Sequence, residues 1–170
     1  MAESKVWALR ARRLITPLQD VRDAVVLVEG QKIIAAGRQD SIAIPESAEV
    51  IEAGDRTIAP GFIDVHHHGA VGAGADEGAA AVKKIGQYLV KTGTTGWLPT
   101  VWTLESLRGI VEARKEGTGG AEVLGIHMEG PFLSPKGTSP QPTSISRLPA
   151  EGRVRGRRHL NNVPVIQYQK

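Results

Sequence analysis

The spacing of hydrophobic positions changes character near residue 60. Before it, apolar residues come in short runs, Val25-Val-Leu-Val28 and Lys32-Ile-Ile-Ala-Ala36, separated by Glu29-Gly30-Gln31. Two such runs around a Gly-containing link read as a β-hairpin. Ala48-Glu-Val-Ile-Glu52 alternates apolar and polar residues, as a strand with one wet face should. Residues 1–59 therefore predict a small β-domain, and no titratable cluster stands out in it.

From residue 60 the pattern predicts alternating strands and helices. Phe62, Ile63 and Val65, bounded by Pro60-Gly61 and Gly69, have the length and punctuation of a short buried strand. In Ala79–Lys91, Val82, Ile85 and Leu89 recur at i, i+3 and i+7, one face of a helix, with Gly93 beyond as terminator. A second strand, Thr94-Thr-Gly-Trp-Leu98, is expected to stop before Pro99. Thr103 suits a helix N-cap, and Leu104, Leu107 and Val111 repeat at helical spacing up to Gly117. Glu122-Val-Leu-Gly-Ile-His-Met128 is the third strand. Such alternation implies an α/β fold of parallel β/α units, whose chemistry collects at the carboxyl ends of the strands.

Two polar clusters lie at such ends. His66 and His68 close the first strand of the β/α region. On extended backbone, residues i and i+2 share a face, so both imidazoles can converge on one ion; a helix would turn them roughly 200° apart. His67 points the other way. Neutral imidazole is a good ligand for zinc and other first-row metals. Glu129 follows the third strand, on the same face as His127, with Ile126 and Met128 opposite. Glu129 is a candidate third ligand for the same ion, and the ordinary alternative is a loop carboxylate meeting a backbone N–H. His127 is at least as well read as a packed or supporting histidine as a direct ligand.

Composition narrows the function classes. The hydrophobic share of 41% is ordinary for a globular chain. Without cysteine, disulfides and thiolate metal sites are excluded, in keeping with a reducing compartment. No apolar run reaches the roughly 20 residues of a membrane span. Arg10, Arg12 and Arg13 look like part of a leader, but Glu3 and the early strand-like sequence argue against one. The expectation is a soluble, untargeted, cytoplasmic protein with no membrane partner. The net charge of +3 raises nucleic-acid binding, yet residues 137–170 alone carry Arg147, Arg153, Arg155, Arg157, Arg158 and Lys170 against Glu151. That surplus exceeds the net charge of the whole chain, so the body before it is net acidic and no nucleic-acid partner is expected. The same tail holds Pro140, Pro142, Pro149 and Pro164 and reads as linker or disordered sequence. His159 has no partner at ligand spacing.

Three segments together carry a resemblance. Pro60-Gly-Phe-Ile-Asp-Val-His-His-His-Gly69, Gly93-Thr-Thr-Gly-Trp-Leu-Pro-Thr100 and Gly125-Ile-His-Met-Glu-Gly-Pro-Phe-Leu-Ser-Pro135 closely resemble the N-acetylglucosamine-6-phosphate deacetylases of the amidohydrolase superfamily. The likeness runs from about residue 5 to Lys136, and the His-Met-Glu-Gly-Pro-Phe block is its most specific part. The resemblance implies a metal-dependent (β/α)₈ (TIM) barrel hydrolase preceded by a small β-domain. Its reaction would release acetate from N-acetylglucosamine 6-phosphate in amino-sugar metabolism. Glu129 matches the family's carboxylate ligand, and His66 and His68 match a histidine pair present in some members. One or two divalent ions are implied, zinc first, with iron, manganese or cobalt as alternatives.

The family's later histidine ligands and its catalytic aspartate have no counterpart, so no catalytic or substrate-binding residue is assigned here. A barrel of this kind typically needs about 250 residues, so an incomplete barrel is expected: 1–59 β-domain, 60–136 first β/α units, 137–170 non-native or disordered tail. That division implies a truncated or frame-slipped deacetylase, inactive as it stands. The competing readings are another amidohydrolase, dihydroorotase-like or aminoacylase-like, and a non-catalytic fragment that binds a full-length partner or, through its basic tail, nucleic acid; a homo-oligomer is a candidate assembly.

Overall fold

A computed structural model of the chain describes residues 5–130, and the backbone of 158–160 and 163–167. It contains two compact units, Met1–Pro60 and Gly61–Lys170. The first is built on β1 (Val6–Ile15), β2 (Asp20–Glu29), β3 (Lys32–Arg38), β4 (Glu49–Glu52) and β5 (Thr57–Ile58). β1 runs antiparallel to β2, β2 antiparallel to β3, and both β4 and β5 lie parallel to β1. The β2–β3 link contains Gly30 at φ +58°, a left-handed position that glycine adopts at little cost. One cluster of buried side chains comprises Ala8, Val25 and Leu27, another Leu14, Ala24 and Val26.

One expectation for this unit changes. Every residue of β4 is exposed, because β4 is an edge strand and its alternation separates no buried face there. The arginines that look like part of a leader are strand residues with carboxylate partners. Arg13 forks onto Asp20 at 2.8 and 2.6 Å, and Arg10 reaches Glu52 at 2.7 Å.

The second unit contains β6 (Phe62–His67), the hairpin β7 (Gly69–Ala70) and β8 (Ala73–Gly74), α1 (Ala79–Leu89), β9 (Thr94–Val101), α2 (Leu107–Glu116), β10 (Glu122–Val123) and β11 (Ile126–Met128). β9 is central, with β6, β10 and β11 all parallel to it. Strand, helix, strand, helix, strand is thus the order in which the chain builds the sheet, and the unit is α/β. Val82, Ile85 and Leu89 of α1 and Leu107, Ile110 and Ala113 of α2 form one core cluster with Trp97, Val101, Val123, Ile126 and Met128. The helical face read from Val82, Ile85 and Leu89 is the buried one, and α1 ends through a short 3₁₀ turn at Gly93, φ +84°.

Other boundaries move. α2 begins after Ser106 rather than after Thr103, whose hydroxyl instead meets Ser106 Oγ at 3.1 Å. Starting three residues later leaves Leu104 exposed and turns Leu107, Ile110 and Ala113 inward. β9 does not stop before Pro99 but runs to Val101. Pro99 falls between Trp97, the last residue paired with β10, and Thr100, the first paired with β11, so its missing N–H interrupts no ladder on that side. The third strand is split into β10 and β11, with Leu124 N–H donating to Trp97 O between them at 3.0 Å.

The basic tail contributes two further strands, β12 (Arg158–Leu160) and β13 (Val163–Gln167). β13 lies parallel on β11 and antiparallel to β12. Residues 137–170 show no convincing strand period in the sequence, and these two short strands form there nonetheless. The unpaired edge of β11 offers a template of N–H and C=O groups, and Val163, Val165 and Ile166 supply residues suited to a strand. The remainder of that tail lies outside the described residues.

Candidate metal centre

The site forms where β6 and β11 end. Between Asp64 and His67 the pairing of β6 with β9 slips. Asp64 lies opposite Trp97 and His67 opposite Pro99, three residues of advance against two, the count of a bulge that re-aims side chains. Asp64 holds this distortion in place. Its Oδ1 accepts from His66 N–H at 3.1 Å and its Oδ2 lies 2.8 Å from His67 Nδ1. His67 N–H donates to Thr100 Oγ1 at 2.9 Å, and the His67 ring meets Trp97 edge-on at 5.5 Å. His67 is therefore turned to the helix-packed side, and its neighbours remain at the strand mouth.

His66, His68 and Glu129 come together there, each offering one donor atom, all within 4.8 Å of one another. His66 Nε2 and His68 Nε2 are 3.2 Å apart, and Glu129 Oε2 lies 3.0 Å from His68 Nε2 and 3.7 Å from His66 Nε2. A tetrahedral zinc ion bound at about 2.0–2.1 Å needs donors about 3.3 Å apart, which lies within the range of these three separations. Glu129 Oε2 is buried and makes no hydrogen bond among the described residues. Only one of two facing imidazole nitrogens can hold a proton towards the other. One Nε2 can donate to the other, which leaves the Glu129 oxygen unsatisfied, whereas a cation at their common centre would satisfy all three. Two imidazoles and a carboxylate, with no thiolate, suit zinc and also iron, manganese or cobalt. Three protein ligands leave a further position open, as catalytic zinc sites do.

The surrounding side chains brace this cluster. His127 is buried, its Nδ1 lies 3.1 Å from Val65 O, and its ring meets His66 edge-on at 4.6 Å. It supports His66 and stands outside the donor triangle. Trp102, just past β9, stacks on His68 with ring centroids 4.4 Å apart and planes 18° from parallel. Glu129 N–H donates to Val101 O at 3.0 Å, and a Cβ on Gly130 would come within 2.7 Å of Trp102 O. On the other side, a Cβ on Gly69 would meet Ala73 O at 2.3 Å, so the hairpin behind His68 closes only with glycine there.

Sequence reasoning names the three donors but misses Asp64 and Trp102. Asp64 precedes His66 by two and His67 by three residues, a local signal that could have been read; Trp102 carries none, since its contact with His68 spans thirty-four residues. His159 lies in β12, where only the backbone is described.

No family model matches the chain. The N-acetylglucosamine-6-phosphate deacetylase of Bacillus subtilis is 32% identical over 152 residues, covering 84% of this chain and 38% of the relative. The N-acetylgalactosamine-6-phosphate deacetylase of Escherichia coli O157:H7 is 31% identical over 146 residues, covering 82% and 37%. In three dimensions, the N-acetylglucosamine-6-phosphate deacetylase of Pasteurella multocida superposes with a TM-score of 0.72 at 25% identity, over 84% of this chain and 38% of that one. The chain therefore spans well under half the length of the relatives it matches. Over that span the chain is similar in sequence and fold to part of the N-acetylglucosamine-6-phosphate and N-acetylgalactosamine-6-phosphate deacetylases.

Proposed function

We propose that His66, His68 and Glu129 hold one divalent cation, zinc in the first instance, and that the chain is the metal-holding part of a barrel-type amide hydrolase. The substrate class we infer is an N-acetylated hexosamine 6-phosphate. The observation that carries the reading is the donor triangle, with separations of 3.0, 3.2 and 3.7 Å around a carboxylate oxygen that has no hydrogen bond among the described residues. The substrate class is supported by the relatives, which are named for N-acetylglucosamine 6-phosphate and N-acetylgalactosamine 6-phosphate.

When bound, the ion would supply a Lewis acid for the amide carbonyl and acidify water. The chain's own residues fix where that chemistry happens. His66 and His68 present Nε2 and so must keep their ring protons on Nδ1. Glu129 adds the negative charge that favours a cation over a proton shared between the rings. Asp64 ties the backbone of His66 to the ring of His67 and keeps the strand end from straightening. Amide hydrolysis also needs a group to protonate the departing amine, and none of the three donors is free for that task.

Because none of the three donors can protonate the departing amine, these residues by themselves are expected to hold metal without turning over. The test is metal analysis of the purified chain together with acetate release from N-acetylglucosamine 6-phosphate. The expected result is roughly one ion per chain, lost in Glu129→Ala, with acetate release no faster than in that variant. Robust turnover would overturn the inactivity, and a chain that retains no metal would overturn the site.

A further inference from the structure

We propose that the indole of Trp102 is a positioning residue, a flat support that sets the direction in which His68 presents Nε2. This rests on the metal reading above and deepens it. An imidazole on a strand end can rotate about its side-chain bonds. A ligand ring is ordinarily fixed by a hydrogen bond from its other nitrogen to a carboxylate or carbonyl. His68 lacks that restraint: its Nδ1 is buried and makes no hydrogen bond among the described residues. Its ring instead lies almost parallel on Trp102, centroids 4.4 Å apart and planes 18° from parallel. The stacking face takes over the orienting role, because any large rotation of His68 would break ring contact over its whole area.

Trp102 is placed to do this by the same backbone that places Glu129. Val101 O accepts from Glu129 N–H at 3.0 Å, and Gly130 packs so closely on Trp102 that a Cβ would come within 2.7 Å of Trp102 O and 3.1 Å of its Cα. One residue thus spans the gap between the donor from the β6 end and the donor from the β11 end. The two histidines are braced differently. His66 has an edge-on partner in His127, which is itself near Val65 O, whereas His68 has a stacked face.

The experiment is a competition titration of the purified chain with zinc against a chromophoric chelator, on the unaltered protein and on Trp102→Phe, Trp102→Leu and Trp102→Ala. The visible spectrum of the cobalt-loaded forms is recorded alongside. Folding of each variant is checked by circular dichroism. Loss of a supporting group typically costs 10–100-fold in metal affinity. Trp102→Ala and Trp102→Leu are therefore expected to bind zinc at least about tenfold more weakly and to show an altered cobalt spectrum. Trp102→Phe, which keeps a flat face, is expected to stay near the unaltered protein in both. Leucine fills space without presenting a flat face, so Phe and Leu decide the matter even where Ala fails to fold. Equal affinities for Phe and Leu would overturn the positioning role while leaving the metal site standing. Failure of the unaltered chain to bind zinc or cobalt would instead overturn the metal reading, and the positioning role with it.

Discussion

β6 and β9 are neighbours in one sheet with comparable apolar content, yet their environments are opposite. All of β9 is buried except Thr95, with Trp97 and Val101 fully so. No residue of β6 is buried, and Phe62, Ile63 and Val65 are 71%, 62% and 60% exposed. β9 has partners on both edges and helices over one face; among the described residues β6 pairs only with β9. Burial here follows position in the sheet rather than the hydrophobicity of the strand. The strand that bears His66 and leads directly into His68 is thus little held by packing. It is held by its ladder with β9, by His67 N–H donating to Thr100 and by His127 near Val65 O, while Asp64 braces the strand end from within through His66 and His67.

That contrast can be broken from either side. The largest effect is expected in β9, where Trp97→Ala removes a fully buried indole and should cost about 3–5 kcal/mol, read as a lower denaturation midpoint. An effect below 1 kcal/mol would mean that β9 is not the anchor. An intermediate effect is expected at the tether between the strands. Thr100→Val keeps the shape of a buried side chain but leaves His67 N–H without its acceptor, a loss of about 1–3 kcal/mol. Because the same bond fixes the strand end, zinc affinity should fall with it, and unchanged affinity would show that the bulge does not set the ligands. The smallest effect is expected on the exposed face of β6, where Ile63→Thr should change stability by no more than about 0.5 kcal/mol. A larger loss would show that this face is covered in solution, and gel filtration alongside the melt would reveal by what.

Much of the local architecture was legible from periodicity because the signals are local. The face of α1 carrying Val82, Ile85 and Leu89 and the terminator at Gly93 follow from spacing and from glycine's access to positive φ. The failures share one cause. Pro99 was read as an end because its missing N–H normally ends a ladder, but β9 carries it at a gap between two partners. Thr103 was a good capping residue by type, yet the helix starts at Leu107 and buries Ile110 and Ala113 instead. Strands β12 and β13 were hidden by the arginines and prolines around them, since what makes β13 a strand is the edge of β11. Each miss is a case where a neighbour distant in sequence outweighed a local preference.

The candidate site divides in the same way. That His66 and His68 share a face was determined by the amino-acid sequence alone, because alternation along extended backbone needs no partner. The chemistry of the donors, nitrogen and oxygen without sulfur, was likewise legible from residue types. Only the tertiary structure could decide that Glu129 stands 3.0 Å from His68 Nε2, that Asp64 stabilises a slipped register, and that Trp102 lies flat on His68. Those contacts join residues tens of positions apart. Their geometry is set by which strands lie side by side, and the order of residues along one strand does not specify its neighbours.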